Sequence, residues 1–304
     1  MGDIIARARR PFAGLEYTLS GRLLNFGAGV ASGQGCPGSH SAESGAGNNE
    51  AFWCVIAVGK KESEGIGVEL LKAGTAALGI HLSLAQIERF RAYYQEIANW
   101  NTRVNLTSVT RWEDVQTTHF VDSLTVSLAI PRAVLESGWI VDVGSGAGFP
   151  GIPLKIAFPG ARVTLIESTG KKTAFLSHLT HALGLEDVDV RTGRAEALAH
   201  DPELRESFDC VVSRAVAGMA ALVELTLPFC RVGGIVVAQK KLDTQDELRR
   251  AQRAIETMGG GLKEVTEVSP EILGGARNLV VLEKLSPTPD RYPRRSGMPA
   301  KRPL

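Results

Sequence analysis

The chain has 304 residues, 44% hydrophobic and 22% charged, with a formal net charge of +1. That length holds one large domain or two small ones, and the composition is that of an ordinary globular protein. Near-neutrality argues against a polybasic nucleic-acid binder, and no apolar run reaches the roughly 18 residues that a membrane-spanning helix needs.

Four cysteines, Cys36, Cys54, Cys210 and Cys230, form no C-x-x-C pair. This pattern points to a reducing, cytoplasmic setting rather than to a disulfide framework or a zinc site. His178 and His181 lie three apart on an expected helix, but no third ligand lies nearby, so no metal is expected.

Residues 1 to 63 are dense in glycine and carry a serine-glycine-asparagine patch from Gly33 to Asn49. Their hydrophobic periodicity is weak, which reads as a disordered extension. Arg7, Arg9 and Arg10 suit a targeting peptide, but no apolar stretch follows them, and an over-extended translation start is the alternative.

A helical cap is expected over residues 64 to 131. Val68 to Leu78 reads as a short helix closed by Gly79. Ser83 and Gln86 form a capping box ahead of Leu84, Ile87, Phe90, Tyr94 and Ile97, which recur at spacings of three and four. Asn101 to Thr110 reads as a loop. Trp112 to Ile130 reads as one further helix, with His119 and Asp122 a turn apart, ending at Pro131.

Over residues 132 to 285 strands and helices alternate. Strands are expected at 139–143, 163–167, 187–191, 209–213 and 234–239, and helices at about 151–158, 171–183, 196–200, 217–230 and 243–258. Two final strands, 263–268 and 278–284, suit an antiparallel hairpin at one edge. The sum is an α/β fold with a seven-stranded, mostly parallel, Rossmann-like sheet and helices on both faces. With no long exposed apolar stripe, a monomer is expected.

The last segment, 286–304, holds Arg291, Arg294, Arg295, Lys301 and Arg302, with no acid after Asp290. Pro287, Pro289, Pro293, Pro299 and Pro303 favour an extended strap over helix or sheet. It reads either as a solvated tail or as a strap that contacts RNA phosphates.

The densest signal is IVDVGSGAGFPGIPLKIAFPGARVTLIES, Ile140 to Ser168. A buried strand brings Asp142 to a turn built on Gly144, Gly146 and Gly148, a helix opens near Pro150, and the next strand ends on Glu167. About twenty residues separate that carboxylate from the first glycine, a spacing that brings an acid to ribose hydroxyls. Gly146 to Gly151 matches the dinucleotide pattern G-x-G-x-x-G, but the register disfavours it. The first glycine after the strand is Gly144, and counted from there Phe149 replaces the third glycine. Pro150 and Pro153 also remove N–H groups that a pyrophosphate needs. Asp142 suits the cationic amino-acid end of S-adenosyl-L-methionine better. A purely structural turn is the third reading.

In an open α/β sheet, ligands bind beyond the carboxyl ends of the strands. That rule selects Asp142, Gly144, Glu167, Ser168, Ala195, Glu196 and Arg214 for the cofactor, with Gly146 in the same turn. Glu196 suits an adenine amino group or, alternatively, a helix start. Arg214 suits a ligand, or an ion pair with a neighbour such as Asp142 or Glu196. Lys171 and Lys172 open a helix, where the dipole disfavours cations, and so suit RNA instead. Lys240 and Lys241 end the strand beginning at Gly234; Arg214 and Lys240 are the substrate-side candidates. No catalytic triad, carboxylate pair or metal spacing appears, and methyl transfer requires none.

The stretch DVGSGAGFPGIPL, Asp142 to Leu154, closely resembles the bacterial GidB family of small-subunit ribosomal RNA guanine-N7 methyltransferases. NLTSVT (Asn105 to Thr110), HFVDSL (His119 to Leu124), SRAVA (Ser213 to Ala217) and the tail RYPRRSGMPAKRPL extend the resemblance over roughly Glu64 to Leu304. It implies an adenosylmethionine-dependent fold with an N-terminal helical cap. Cofactor contacts are implied at Gly144, Phe149, Glu167 to Thr169, Ala195, Glu196 and Arg214. The implied substrate is a guanine in the decoding-region hairpin of 16S RNA, whether as naked RNA or in the assembled small subunit. One departure stands on the substrate side, where the strand from Gly234 ends Ala-Gln-Lys-Lys instead of a lysine followed by glycine. A nicotinamide-dependent oxidoreductase and a non-catalytic RNA-binding assembly factor are the alternatives.

Overall fold

The computed structural model describes residues 67–214, 216–240, 244–273 and 275–304. The extension read over residues 1 to 63 and Lys241 lie outside them.

Seven strands form one sheet in the order β3-β2-β1-β4-β5-β7-β6. They are β1 (Trp139–Val143), β2 (Arg162–Glu167), β3 (Val188–Thr192), β4 (Phe208–Arg214), β5 (Cys230–Lys240), β6 (Gly260–Val268) and β7 (Arg277–Lys284). β1 to β5 run parallel. β7 inserts between β5 and β6, antiparallel to both, so the expected terminal hairpin forms with β6 as the outer edge. The order reverses between β1 and β4, and that switch point is where such sheets open a crevice for ligands.

Alternation along the strands sorts the core into two layers. Ile140, Leu165, Val212 and Val237 join one apolar cluster; Val141, Ile166, Val211 and Val236 join the other. The first layer is covered by α1 (Glu69–Ala77), α2 (Leu84–Asn101), α4 (Gly151–Ala157) and α5 (Gly170–Ala182). The N-terminal helices therefore share one continuous core with the sheet. The second layer is covered by α7 (Met219–Thr226) and α8 (Gln245–Thr257). Two shorter helices, α3 (Arg132–Ser137) and α6 (Ala195–Leu198), lead into β1 and follow β3.

α2 starts at the expected capping box. Ser83 Oγ accepts from Gln86 N, and Gln86 Oε1 accepts from Ser83 N. The Gln86 amide also donates to the Ile156 and Ala157 carbonyls, so one side chain caps the start of α2 and the end of α4. The buried stripe is Ile87, Phe90, Tyr93 and Ile97. Leu84 is 80% exposed because it lies in the first turn, and Tyr93, not Tyr94, takes the core position.

The single helix expected over Trp112 to Ile130 is a composite. An α turn, Trp112–Val115, runs into a π segment, Gln116–Val121, then an α turn, Asp122–Leu124, and a 3-10 turn, Thr125–Leu128. The hydroxyls of Thr117 and Thr118 both donate to the Asp114 carbonyl. Such back-bonding competes with the helix's own ladder and widens it locally. The wider turn sets His119 toward the glycine turn, and Asp122 toward the end of β4.

Candidate active site

Gly144, Gly146 and Gly148 all have positive φ, at 79°, 58° and 100°. The turn they make leaves the end of β1 and returns into α4. A Cβ on Gly148 would lie 2.7 Å from the Tyr93 hydroxyl, while one on Gly146 would meet nothing nearer than the Gly144 carbonyl at 3.9 Å. The turn is therefore packed on its inner side and open at Gly146. Glu167, at the end of β2, braces it: Oε2 accepts from Gly146 N at 3.1 Å and Oε1 from Thr169 N at 2.8 Å. Ser168 and Thr169 are exposed at the same rim.

Asp142 does not face this rim as expected. It shares parity with Ile140, so its side chain points into the first layer, under the start of α4. It is fully buried, and Oδ2 accepts from Gly151 N at 2.9 Å while Oδ1 has no hydrogen-bond partner among the described residues. Burial pushes its carboxyl up to about 7, against the opposing effect of the Gly151 bond. Asp142 thus anchors the helix that closes the turn. Gly151 is required for that contact, since a Cβ there would lie 2.5 Å from Leu165 Cδ2.

Phe149 is the centre of an aromatic stack. Tyr93 lies against one side, with centroids 5.4 Å apart, and His119 is 4.6 Å away. The Arg214 guanidinium lies 4.9 Å from the same ring. His119 Nδ1 faces the Thr118 carbonyl at 3.0 Å, which only accepts, so Nδ1 carries the proton. Nε2 then accepts from the Thr107 hydroxyl at 2.8 Å. Burial, then the charge of Arg214, lower the His119 pKa to about 4, so the ring is neutral at physiological pH.

Arg214 ends β4 and pairs with Asp122, Nη1 to Oδ2 at 2.9 Å. Arg277, at the start of β7, lies 3.3 Å from the other Asp122 oxygen. Gln239 donates to the Asp122 carbonyl, which ties β5 to the same point. Lys240 departs from a free substrate-side position: Nζ donates to the Ala217 carbonyl and pairs with Glu247 at 2.9 Å, holding the loop that follows β4.

Glu196 turns to the C-terminal strap. Its Oε1 accepts from Gly297 N at 2.7 Å, and Arg194 is 3.5 Å away. Ala195 beside it is half-buried. The strap itself is docked rather than free. Arg294 is bonded through its backbone and guanidinium to Glu224, whose carboxylate is fully buried. Buried charge demands such a partner, so Arg294 is a structural residue and not a free phosphate contact. Arg205 donates to the Thr288 and Tyr292 carbonyls, and a short helix, Met298–Lys301, follows in the same strap. Arg291, Arg295, Lys301 and Arg302 stay exposed, as does Lys171, with Lys172 half-buried.

Sequence reasoning missed Tyr93, Thr107, Gln239 and Arg277. Tyr93 was visible in the spacing of α2, but the other three act through pairings between distant segments. Among the described residues no group of three His, Cys, Asp or Glu side chains is placed to hold a metal, and no helix is long and apolar enough to cross a membrane.

A family model described as GidB, rRNA small subunit methyltransferase G, matches residues 86–280. A Dehalococcoides mccartyi (strain CBDB1) protein named ribosomal RNA small subunit methyltransferase G is 50% identical over 231 residues, covering 76% of this chain and 97% of that protein. Proteins of the same name from Roseiflexus sp. (strain RS-1) and Bacillus subtilis (strain 168) are 47% and 39% identical. Those two alignments cover 78% and 79% of this chain, and 100% and 99% of the relatives.

Proposed function

The chain belongs to the GidB family of small-subunit ribosomal RNA methyltransferases, and on that premise we propose that it methylates N7 of a guanine in 16S ribosomal RNA. The observation that carries the reading is the open glycine turn at Gly146, braced by the Glu167 carboxylate at the switch point of the sheet. That seat fits S-adenosyl-L-methionine: backbone at positive φ leaves room for a ligand, and an acid at the end of β2 suits a ribose diol. Gly144, Gly146, Phe149, Glu167, Ser168 and Thr169 would hold it. When bound, the cofactor supplies an electrophilic methyl group on a sulfonium.

The remaining work falls to the chain's own residues. Phe149, packed against Tyr93 and His119, gives a rigid wall beside the turn and excludes water. His119 is neutral and brings no positive charge against the incoming methyl donor. Guanine N7 carries a lone pair and needs no deprotonation, which agrees with a site that offers no evident general base. N7 lies on the Hoogsteen edge, so an unpaired or irregular loop presents it best. Arg214 orients the wall through its contact with Phe149 and its pairing with Asp122.

Exposed Lys171, Arg291, Arg295, Lys301 and Arg302 are the phosphate contacts in this reading. The enzyme acts as a monomer in the cytoplasm on RNA or the assembled small subunit. The nicotinamide and assembly-factor readings fall with the family assignment. Equilibrium binding of adenosylmethionine and of NADH tests the cofactor: saturable binding of the first alone is expected, and binding of NADH alone would overturn the assignment.

A further inference from the structure

A cleft of about 600 Å3 opens between the end of α2 and the side of α5, lined by Glu96, Asn99, Trp100, Thr102, Arg103 and His178. Its centre is aromatic. The Trp100 ring packs on Phe175 at 5.5 Å and on His178 at 5.2 Å. The Arg103 guanidinium lies over the indole, 5.2 Å from its centroid. Phe175 is fully buried, Trp100 keeps part of its surface in solvent, and Arg103 is exposed. Packing on Phe175 thus holds the indole as a preordered platform.

Glu96, the acid in the lining, is held on the α5 side by its contact with His178 Nε2 at 2.8 Å. Among the described residues no carboxylate lies within ion-pair reach of Arg103. Lys171 stands on the same face of α5 as Phe175 and His178, at helical spacings of four and seven, and carries the basic edge toward the Glu167–Thr169 turn.

The cleft is also fixed relative to the active site. Asn101, next to Trp100, accepts from Leu106 N and Thr107 N and donates to the Thr107 carbonyl. The Thr107 hydroxyl in turn holds His119 against Phe149.

We infer that this cleft is a subsite for single-stranded RNA, in which a base outside the methylated guanine stacks on Trp100 and Arg103 meets the adjoining phosphate. An aromatic plane beside an unpaired cation is the pairing that binds unstacked nucleotides. The inference rests on the RNA-methyltransferase reading.

The test compares the full-length protein with Trp100→Ala, Trp100→Phe and Arg103→Ala. Binding to unmethylated 16S RNA is measured across salt concentrations, with adenosylmethionine affinity as the check on folding. Trp100→Ala is expected to weaken RNA binding about tenfold or more, and Trp100→Phe to recover most of it. Arg103→Ala is expected to reduce the salt slope by about 1. In turnover, KM for RNA rises by more than kcat falls. Should Trp100→Ala not fold, Arg103→Ala decides alone, since that side chain is exposed. Folded variants that bind RNA like the wild type would overturn the subsite. Loss of binding to assembled subunits but not to naked RNA would overturn it in favour of a ribosomal-protein contact. Trp100-dependent RNA binding by a wild type that transfers no methyl group would sink the methyltransferase reading and leave the subsite standing. Methylation with unchanged KM in both variants would sink the subsite alone.

Discussion

Arg214 and Asp122 meet at 2.9 Å across the junction between the end of β4 and the composite helix, and Arg277 of β7 lies 3.3 Å from the same carboxylate. One buried acid therefore joins three distant segments beside Phe149. The arrangement makes its members unequal. Removing Asp122 leaves two cations facing each other, whereas removing Arg214 leaves Asp122 with Arg277. We expect Asp122→Ala to cost about 3–5 kcal/mol and Arg214→Ala about 1–3 kcal/mol, both read from urea unfolding. Arg214→Ala should also lower turnover, because its guanidinium supports Phe149. Equal losses in the two variants would contradict a shared carboxylate.

The glycine turn gives a sharper contrast. Gly144 has φ +79°, and a Cβ there would lie 2.6 Å from Val216 Cγ2. Gly144→Ala should cost about 1–2 kcal/mol and weaken adenosylmethionine binding about tenfold or more. At Gly170 a Cβ meets nothing within 4 Å. Gly170→Ala should leave stability unchanged or raise it by up to about 1 kcal/mol. Thermal unfolding and calorimetric titration of the two proteins check both expectations.

Asp142 predicts a pH dependence of definite sign. Its folded pKa is raised to about 7 by burial, above its value in the unfolded chain. Between those values the folded protein keeps a proton that the unfolded chain has lost. Its stabilising contribution is therefore full at low pH and declines as pH rises toward 7. His119 runs the opposite way: its pKa is lowered to about 4, so its contribution is full above about 6.5 and is lost as pH falls toward 4. Asp142→Asn removes only the first effect. Scanning calorimetry from acid to neutral pH should find the variant gaining on the wild type as pH rises, and an offset independent of pH would refute the assignment.

Two neighbouring arginines in the strap should behave differently. Arg294 neutralises the fully buried Glu224, so Arg294→Ala should cost about 3–5 kcal/mol. Arg295 is exposed, and Arg295→Ala should leave stability within about 0.5 kcal/mol while lowering RNA affinity and its salt slope. Denaturation and filter binding separate the two roles.

Much of this architecture is legible from local pattern. The glycine turn, the acid at the end of β2 and the alternation of strands and helices depend on spacing within a few tens of residues. The side-chain directions at the rim are harder to read. Asp142 sits at the expected strand end but turns inward by strand parity, and Glu196 and Arg294 are taken up by partners about 100 and 70 residues away. The composite helix looked continuous because its apolar residues keep helical spacing, while Thr117 and Thr118 widen it through bonds that leave no periodic trace. Arg214 reads as a ligand contact or as the ion-pair partner of Asp142 or Glu196, whereas the structure pairs it with Asp122, from the helical segment that precedes the sheet.

The decisive measurement is transfer of a tritiated methyl group from adenosylmethionine to unmethylated small-subunit RNA, naked and as assembled subunits, followed by nuclease mapping. Label is expected at one guanine, recovered as 7-methylguanine. Label on another base or another atom, or tight cofactor binding with no transfer to either substrate, would contradict the proposed function.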